Sequence, residues 1–195
     1  MKKILGILFL CLISFDISLA NDFHWILNQT EFKNPNKLTF GDDKKRFQNF
    51  LEKNIPNKRS PIEFGDDRFP IVEDLIGSFS HPLGSIKKIE NRYLVVESCM
   101  YKYCRFKGLV FIDNNKKEVI GAMLLQTDKP RAEGQDLDKI EIQLIVSKMY
   151  ENYNRLPKIF LDVIKNWKKE NNLEDKPLVS KFLGTDNLYK NISLN

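Results

Sequence analysis

The spacing of apolar positions changes along the chain, and each change marks an element. Phe47, Phe50 and Leu51 fall at helical spacing after Asp42 and Asp43, either of which suits a cap. A short helix is therefore expected to about Asn54. Pro56, Asn57, Ser60 and Pro61 then read as a loop, and Pro70 opens a second short helix over 70–78. Its apolar face carries Val72, Leu75, Ile76 and Phe79. From residue 86 the pattern is strand-like, with runs at 92–98, 109–112 and 118–125. The polar stretch Asp113–Lys117 joins the last two runs and predicts an antiparallel hairpin. Both of those runs are almost wholly apolar, as in strands covered on both faces. After a polar loop at 128–138, Ile140, Ile142, Leu144 and Val146 alternate with other positions and give one more strand. Leu156, Ile159, Phe160, Val163, Ile164 and Trp167 form one stripe of a helix over about 155–171. The tail 173–195 holds Leu178, Val179, Phe182 and Leu183 but specifies no element. The sum is an α+β domain: an antiparallel sheet of four or five strands, helices packed on it, and one disulfide-closed loop.

The chain's beginning has a different character. Met1-Lys2-Lys3 is basic, Ile4–Ile13 is an apolar run, and Ser18-Leu19-Ala20 places small residues at a cleavage site. That is the layout of a signal peptide over residues 1–20. The run is too short for a membrane span, which needs roughly twenty apolar residues. Cys11 follows Leu10, where lipoprotein processing calls for a small residue, so Cys11 belongs to the discarded segment. A single exported domain, 21–195, remains, periplasmic or secreted, and no other segment is apolar enough to span a bilayer.

Composition narrows the chemistry. The 195 residues are 42% hydrophobic and 29% charged, as in a globular protein. Net charge is +5, and cleavage removes two lysines and one aspartate, leaving +4. Two histidines and three cysteines exclude a His-rich metal site and weigh against a zinc-finger framework. His24 beside Trp25 and His81 before Pro82 belong to no metal-spacing motif. Phe40-Gly41-Asp42-Asp43 is echoed by Phe64-Gly65-Asp66-Asp67, read as two Gly-Asp entries into turns or helices, since calcium-loop spacings are missing. No G-x-S-x-G elbow occurs, and Gly108 and Gly121 stand alone rather than in a phosphate loop. The sequence therefore names no catalytic residue, cofactor or metal. Lys158, Lys165, Lys168 and Lys169 read as a solvated helix face, not a nucleic-acid patch.

The strongest local signal is Cys99-Met100-Tyr101-Lys102-Tyr103-Cys104. The two cysteines of an exported chain are expected to pair with each other. So small a ring stabilises by only about 2 kcal/mol through chain entropy. Its larger effect is to hold four side chains in one shape, which lowers the entropy lost on binding. Tyrosine supplies contact area at low entropic cost, and Lys102 supplies a cation. The plainer reading is a staple at the end of a hairpin. A thiol oxidoreductase fits less well, since those enzymes place two residues between the cysteines, at a helix N-terminus.

The stretch Tyr93–Leu124 resembles the core of the inhibitor of vertebrate lysozyme (Ivy) family and its exported relatives. The shared features are Val95-Val96-Glu97-Ser98-Cys99, Cys104, the run Leu109–Asp113, the polar turn and Ile120-Gly121. In that family a strand ends in a disulfide-closed loop reading C-K-P-H-D-C, whose histidine meets the catalytic carboxylates of lysozyme. Here Met100, Tyr101, Lys102 and Tyr103 stand at the four positions, with Lys102 in place of the histidine. The resemblance implies an inhibitor of a lysozyme or a lytic transglycosylase-like enzyme, with loop 99–104 in the cleft. Lys102 would be the plug, Tyr101 and Tyr103 its walls. An ammonium suits a cleft with two carboxylates. At about 4 Å and an effective dielectric of 20 the attraction is about 4 kcal/mol before desolvation. A charge of +4 disfavours approach to a basic lysozyme and favours a target with a more acidic surface.

Overall fold

A computed structural model describes residues 44–60, 69–81, 84–126, 140–146, 155–174, 178–183 and 188–192. The signal segment, His24, both Phe-Gly-Asp-Asp stretches and the loop 128–138 lie outside the described residues. Among the described residues there are three helices: α1 (Lys44–Asn54), α2 (Ile71–Ser78) and α3 (Lys158–Glu170). Seven strands of the described residues form one sheet: β1 (Ser85–Ile89), β2 (Tyr93–Met100), β3 (Tyr103–Asp113), β4 (Glu118–Gln126), β5 (Ile140–Val146), β6 (Leu178–Leu183) and β7 (Tyr189–Ile192). Their spatial order follows the chain. Neighbours are antiparallel from β1 to β5, β6 pairs parallel to β5, and β7 returns antiparallel.

The α+β class and the helix-covered antiparallel sheet are as the pattern predicts. The strand number is larger than the expected four or five, because the tail contributes β6 and β7. A parallel partner needs a long crossover, and α3 lies in the chain between β5 and β6.

The two faces of the sheet carry separate cores, which explains why Leu109–Ile112 of β3 and Val119–Leu125 of β4 are apolar throughout. Leu94, Val96, Phe106, Val110, Ala122 and Leu124 pack beneath α1 and α2. Val95, Leu109, Phe111, Ile120, Met123 and Leu125 pack beneath α3. The β3–β4 register shifts between Phe111 and Ile112, which pair with Gly121 and Val119. That bulge lets Val119 and Ala122, three positions apart, share the first core, while Ile120 faces the second. Phe111 stacks on Phe160 of α3 with centroids 5.0 Å apart. Fully burying one such aromatic side chain stabilises by about 1.5–3 kcal/mol.

The helix ends follow local rules. Pro70 and Pro157 occupy the cap positions of α2 and α3, one residue before the first turn. After α3, Asn172 is left-handed (φ 55°). The Asn172 amide donates to Lys169 O at 3.0 Å and the Leu173 amide to Lys168 O at 3.0 Å. This is a Schellman ending, and Leu173 seals it by burial in the second core. Gly108 of β3 lies against the end of α2. A Cβ there would stand 1.8 Å from Ser78 Oγ and 2.8 Å from Ser78 Cβ. Only glycine permits this approach of helix to sheet.

Candidate functional site

The hexapeptide is a clamped two-residue turn rather than a six-residue loop. The strands continue into it: Cys99 pairs with Lys107, and Met100 pairs with Tyr103. The register shifts between these pairs, so Cys104, Arg105 and Phe106 bulge out of step with β2. The Cys99–Cys104 disulfide spans that irregularity, with Cα atoms 4.8 Å apart. Tyr101 and Lys102 alone form the tip, and Lys102 adopts φ 61°. A left-handed lysine costs about 1–2 kcal/mol relative to the right-handed region, so the turn must be held by its surroundings.

The holding groups come from the segment after α2. The His81 amide donates to Cys99 O at 2.9 Å. Ser98 Oγ donates to His81 O at 3.1 Å. The Tyr101 amide donates to Ser80 Oγ at 2.7 Å. The His81 and Tyr101 rings lie 6.2 Å apart. Because Gly108 fixes the end of α2, it also fixes the residues that brace the tip.

The four side chains divide. Met100 and Tyr103 are half-buried and pack on the core beneath α1 and α2. Tyr101 is 55% exposed, and Lys102 is exposed with its Nζ 5.5 Å from the Tyr101 ring centroid. An exposed cation–π contact of this kind contributes about 0.5–1 kcal/mol. The outward surface is therefore a tyrosine ring and an ammonium. Tyr103, expected as a second wall, belongs instead to the packing that supports the turn.

A groove of about 270 Å³ lies on the opposite side of the disulfide, beyond the end of α3. The row of β2 side chains facing α3 is apolar at Tyr93 and Val95, then passes to Glu97 and Cys99. The matching row of β3 is apolar at Phe111 and Leu109, then reaches Lys107. The polar positions begin where Trp167 and Asn171 end the helix cover, so the groove has a polar floor. Lys107 Nζ donates to Asn171 Oδ1, and Asn171 Nδ2 donates to Trp167 O at 2.8 Å. Glu97 accepts from Ser85 Oγ at 2.6 Å and pairs with Lys87 at 2.6 Å. Lys87 Nζ also lies 3.6 Å from Glu170. Burial opposes the Lys87 charge, but Glu97 and Glu170 outweigh it and hold the ammonium above its ordinary pKa.

Sequence reasoning found both cysteines and the tip residues. It missed Ser80, His81 and Gly108 as braces, and it assigned Trp167 to the core without its second role at the groove. These links join positions about 20 to 80 residues apart, and no local spacing carries them. Among the described residues, no three His, Cys, Asp or Glu side chains gather as a metal site. No described helix is long and apolar enough to cross a membrane.

The fold and the turn define an α+β protein with a disulfide-clamped hairpin tip that presents one aromatic ring and one cation. No family model, curated protein or solved structure matches the chain.

Proposed function

We propose that this chain is an exported, non-catalytic binding protein that inhibits a lysozyme-like, peptidoglycan-cleaving enzyme. Its clamped turn enters the catalytic cleft, Lys102 meets the paired carboxylates, and Tyr101 packs on the cleft wall. The observation that carries the reading is the tip itself. It places an exposed ring and an exposed ammonium side by side on a turn braced by a disulfide and by Ser80. Such preorganisation lowers the cost of ordering a loop at an interface. The disulfide also suits an oxidising compartment, in keeping with a periplasmic or secreted location. The resemblance of Tyr93–Leu124 to the Ivy family supplies the target class.

The test is inhibition of a panel of muramidases and lytic transglycosylases by oxidised protein, residues 21–195. Lys102→Ala should raise the inhibition constant at least tenfold against the sensitive enzyme while leaving the fold intact. Equal inhibition by the variant would remove the mechanism, and inactivity across the panel would remove the target class. A second reading is a non-catalytic envelope protein in which the disulfide only staples the hairpin. The inward packing of Met100 and Tyr103 favours it. It predicts that reduction lowers stability without abolishing any specific binding.

A further inference from the structure

The two residues of the clamp are unequally exposed. Cys99 is only 6% exposed, on the α3 side of β2. Cys104 is exposed, at the start of the bulged part of β3. Both residues line the groove beyond α3. The groove is electrostatically two-sided. Glu170 and the carbonyl end of α3 favour a cation, whereas Lys107 on the floor favours an anion. Its volume of about 270 Å³ holds a molecule the size of an amino acid.

We propose that this groove is a thiol-exchange site for a small zwitterionic aminothiol, with Cys104 as the residue modified. This goes beyond the inhibitor reading and does not rest on it. The ammonium of the incoming molecule sits toward Glu170, and its carboxylate toward Lys107. Its thiolate sulfur bonds to Cys104 Sγ as the Cys99–Cys104 bond breaks. The electron pair leaves with Cys99 Sγ, which then takes a proton from water. The products are a mixed disulfide on Cys104 and a free Cys99 thiol, so no other oxidant or reductant is needed. Access selects the sulfur that is attacked. Cys99 is the expected leaving group because its cross-strand partner is Lys107, a cation on the same face of the sheet. Exchange opens the clamp behind Tyr101 and Lys102.

The experiment incubates the oxidised protein with cysteine, quenches in acid, alkylates free thiols and maps both adducts by peptide mass spectrometry. Cysteine is expected on Cys104 and the alkyl group on Cys99, in at least a fivefold excess over the reverse. Equal labelling, or cysteine on Cys99, would overturn the assignment. The rate with cysteine, corrected for thiolate fraction, should exceed that with 2-mercaptoethanol several-fold. Lys107→Met should abolish that preference. Equal corrected rates for the two thiols on the native protein would refute the groove as a recognition site.

Discussion

Asp74, near the start of α2, gives the sharpest stability prediction. The residue is 5% exposed, and among the described residues nothing hydrogen-bonds its Oδ2. Burial is the largest influence and pushes its pKa up to about 6 from 3.8; the Ser60 hydrogen bond opposes, and the charge of neighbouring Glu73 adds to the rise. The folded state thus binds this proton more tightly than the unfolded chain does. The contribution of the protonated group is complete below the unfolded value, near pH 4, and is lost as pH rises through about 6. A difference of two units corresponds to about 3 kcal/mol, and partial solvent screening reduces this to about 2 kcal/mol at pH 7. Asp74→Asn keeps an oxygen for Ser60 and cannot ionise. Urea unfolding of both proteins at pH 4, 5, 6, 7 and 8 measures the effect. The two curves should nearly coincide at pH 4, and the variant should gain about 2 kcal/mol by pH 7. A stability difference that does not change with pH would refute the assignment of a buried, ionising carboxylate.

Two further substitutions probe the opposite end of the sheet and the brace of the tip. Asp113, 2% exposed, receives the Arg92 guanidinium at 2.6 Å and the Asn115 and Lys116 amides. Burial raises its pKa, but these donors together outweigh it and hold the carboxyl below its ordinary value. Its stabilisation is present above the unfolded pKa and lost as pH falls through the folded one. Asp113→Asn should therefore flatten the acid limb of the stability–pH curve; an unchanged slope would argue against the pairing. Gly108→Ala forces a Cβ to within 2.8 Å of Ser78 Cβ, so α2 must shift. The expected cost is about 1–3 kcal/mol in urea unfolding. Amide exchange at Tyr101 should accelerate too, because Ser80 follows α2, and unaltered exchange would disconnect helix from tip.

The legible part of the fold was the part written in local periodicity. The runs that became β2, β3 and β4 are apolar on both faces, and the stripe ending at Trp167 marked α3. The tail escaped because β6 is stabilised by parallel pairing with β5, a partner nearly forty positions earlier. The clamped turn was legible in composition but not in shape. Two cysteines with four residues between them suggest a loop, whereas the register shift after Cys99 lets β2 and β3 pair as far as Met100 and Tyr103. Gly108 looked like an isolated glycine, and its reason is a contact with a helix thirty positions away.

The parallel seam between β5 and β6 has a consequence for how the molecule forms. The strands from β1 to β4 follow one another closely, so their pairing closes short loops and should be early. The seam must wait until the chain through α3 and on to Leu178 has been made. Until then β5 is an unsatisfied edge, open to any other extended chain. Pairing with β6 closes that edge, so a chain ending before Leu178 should aggregate on refolding where the chain through Asn195 does not.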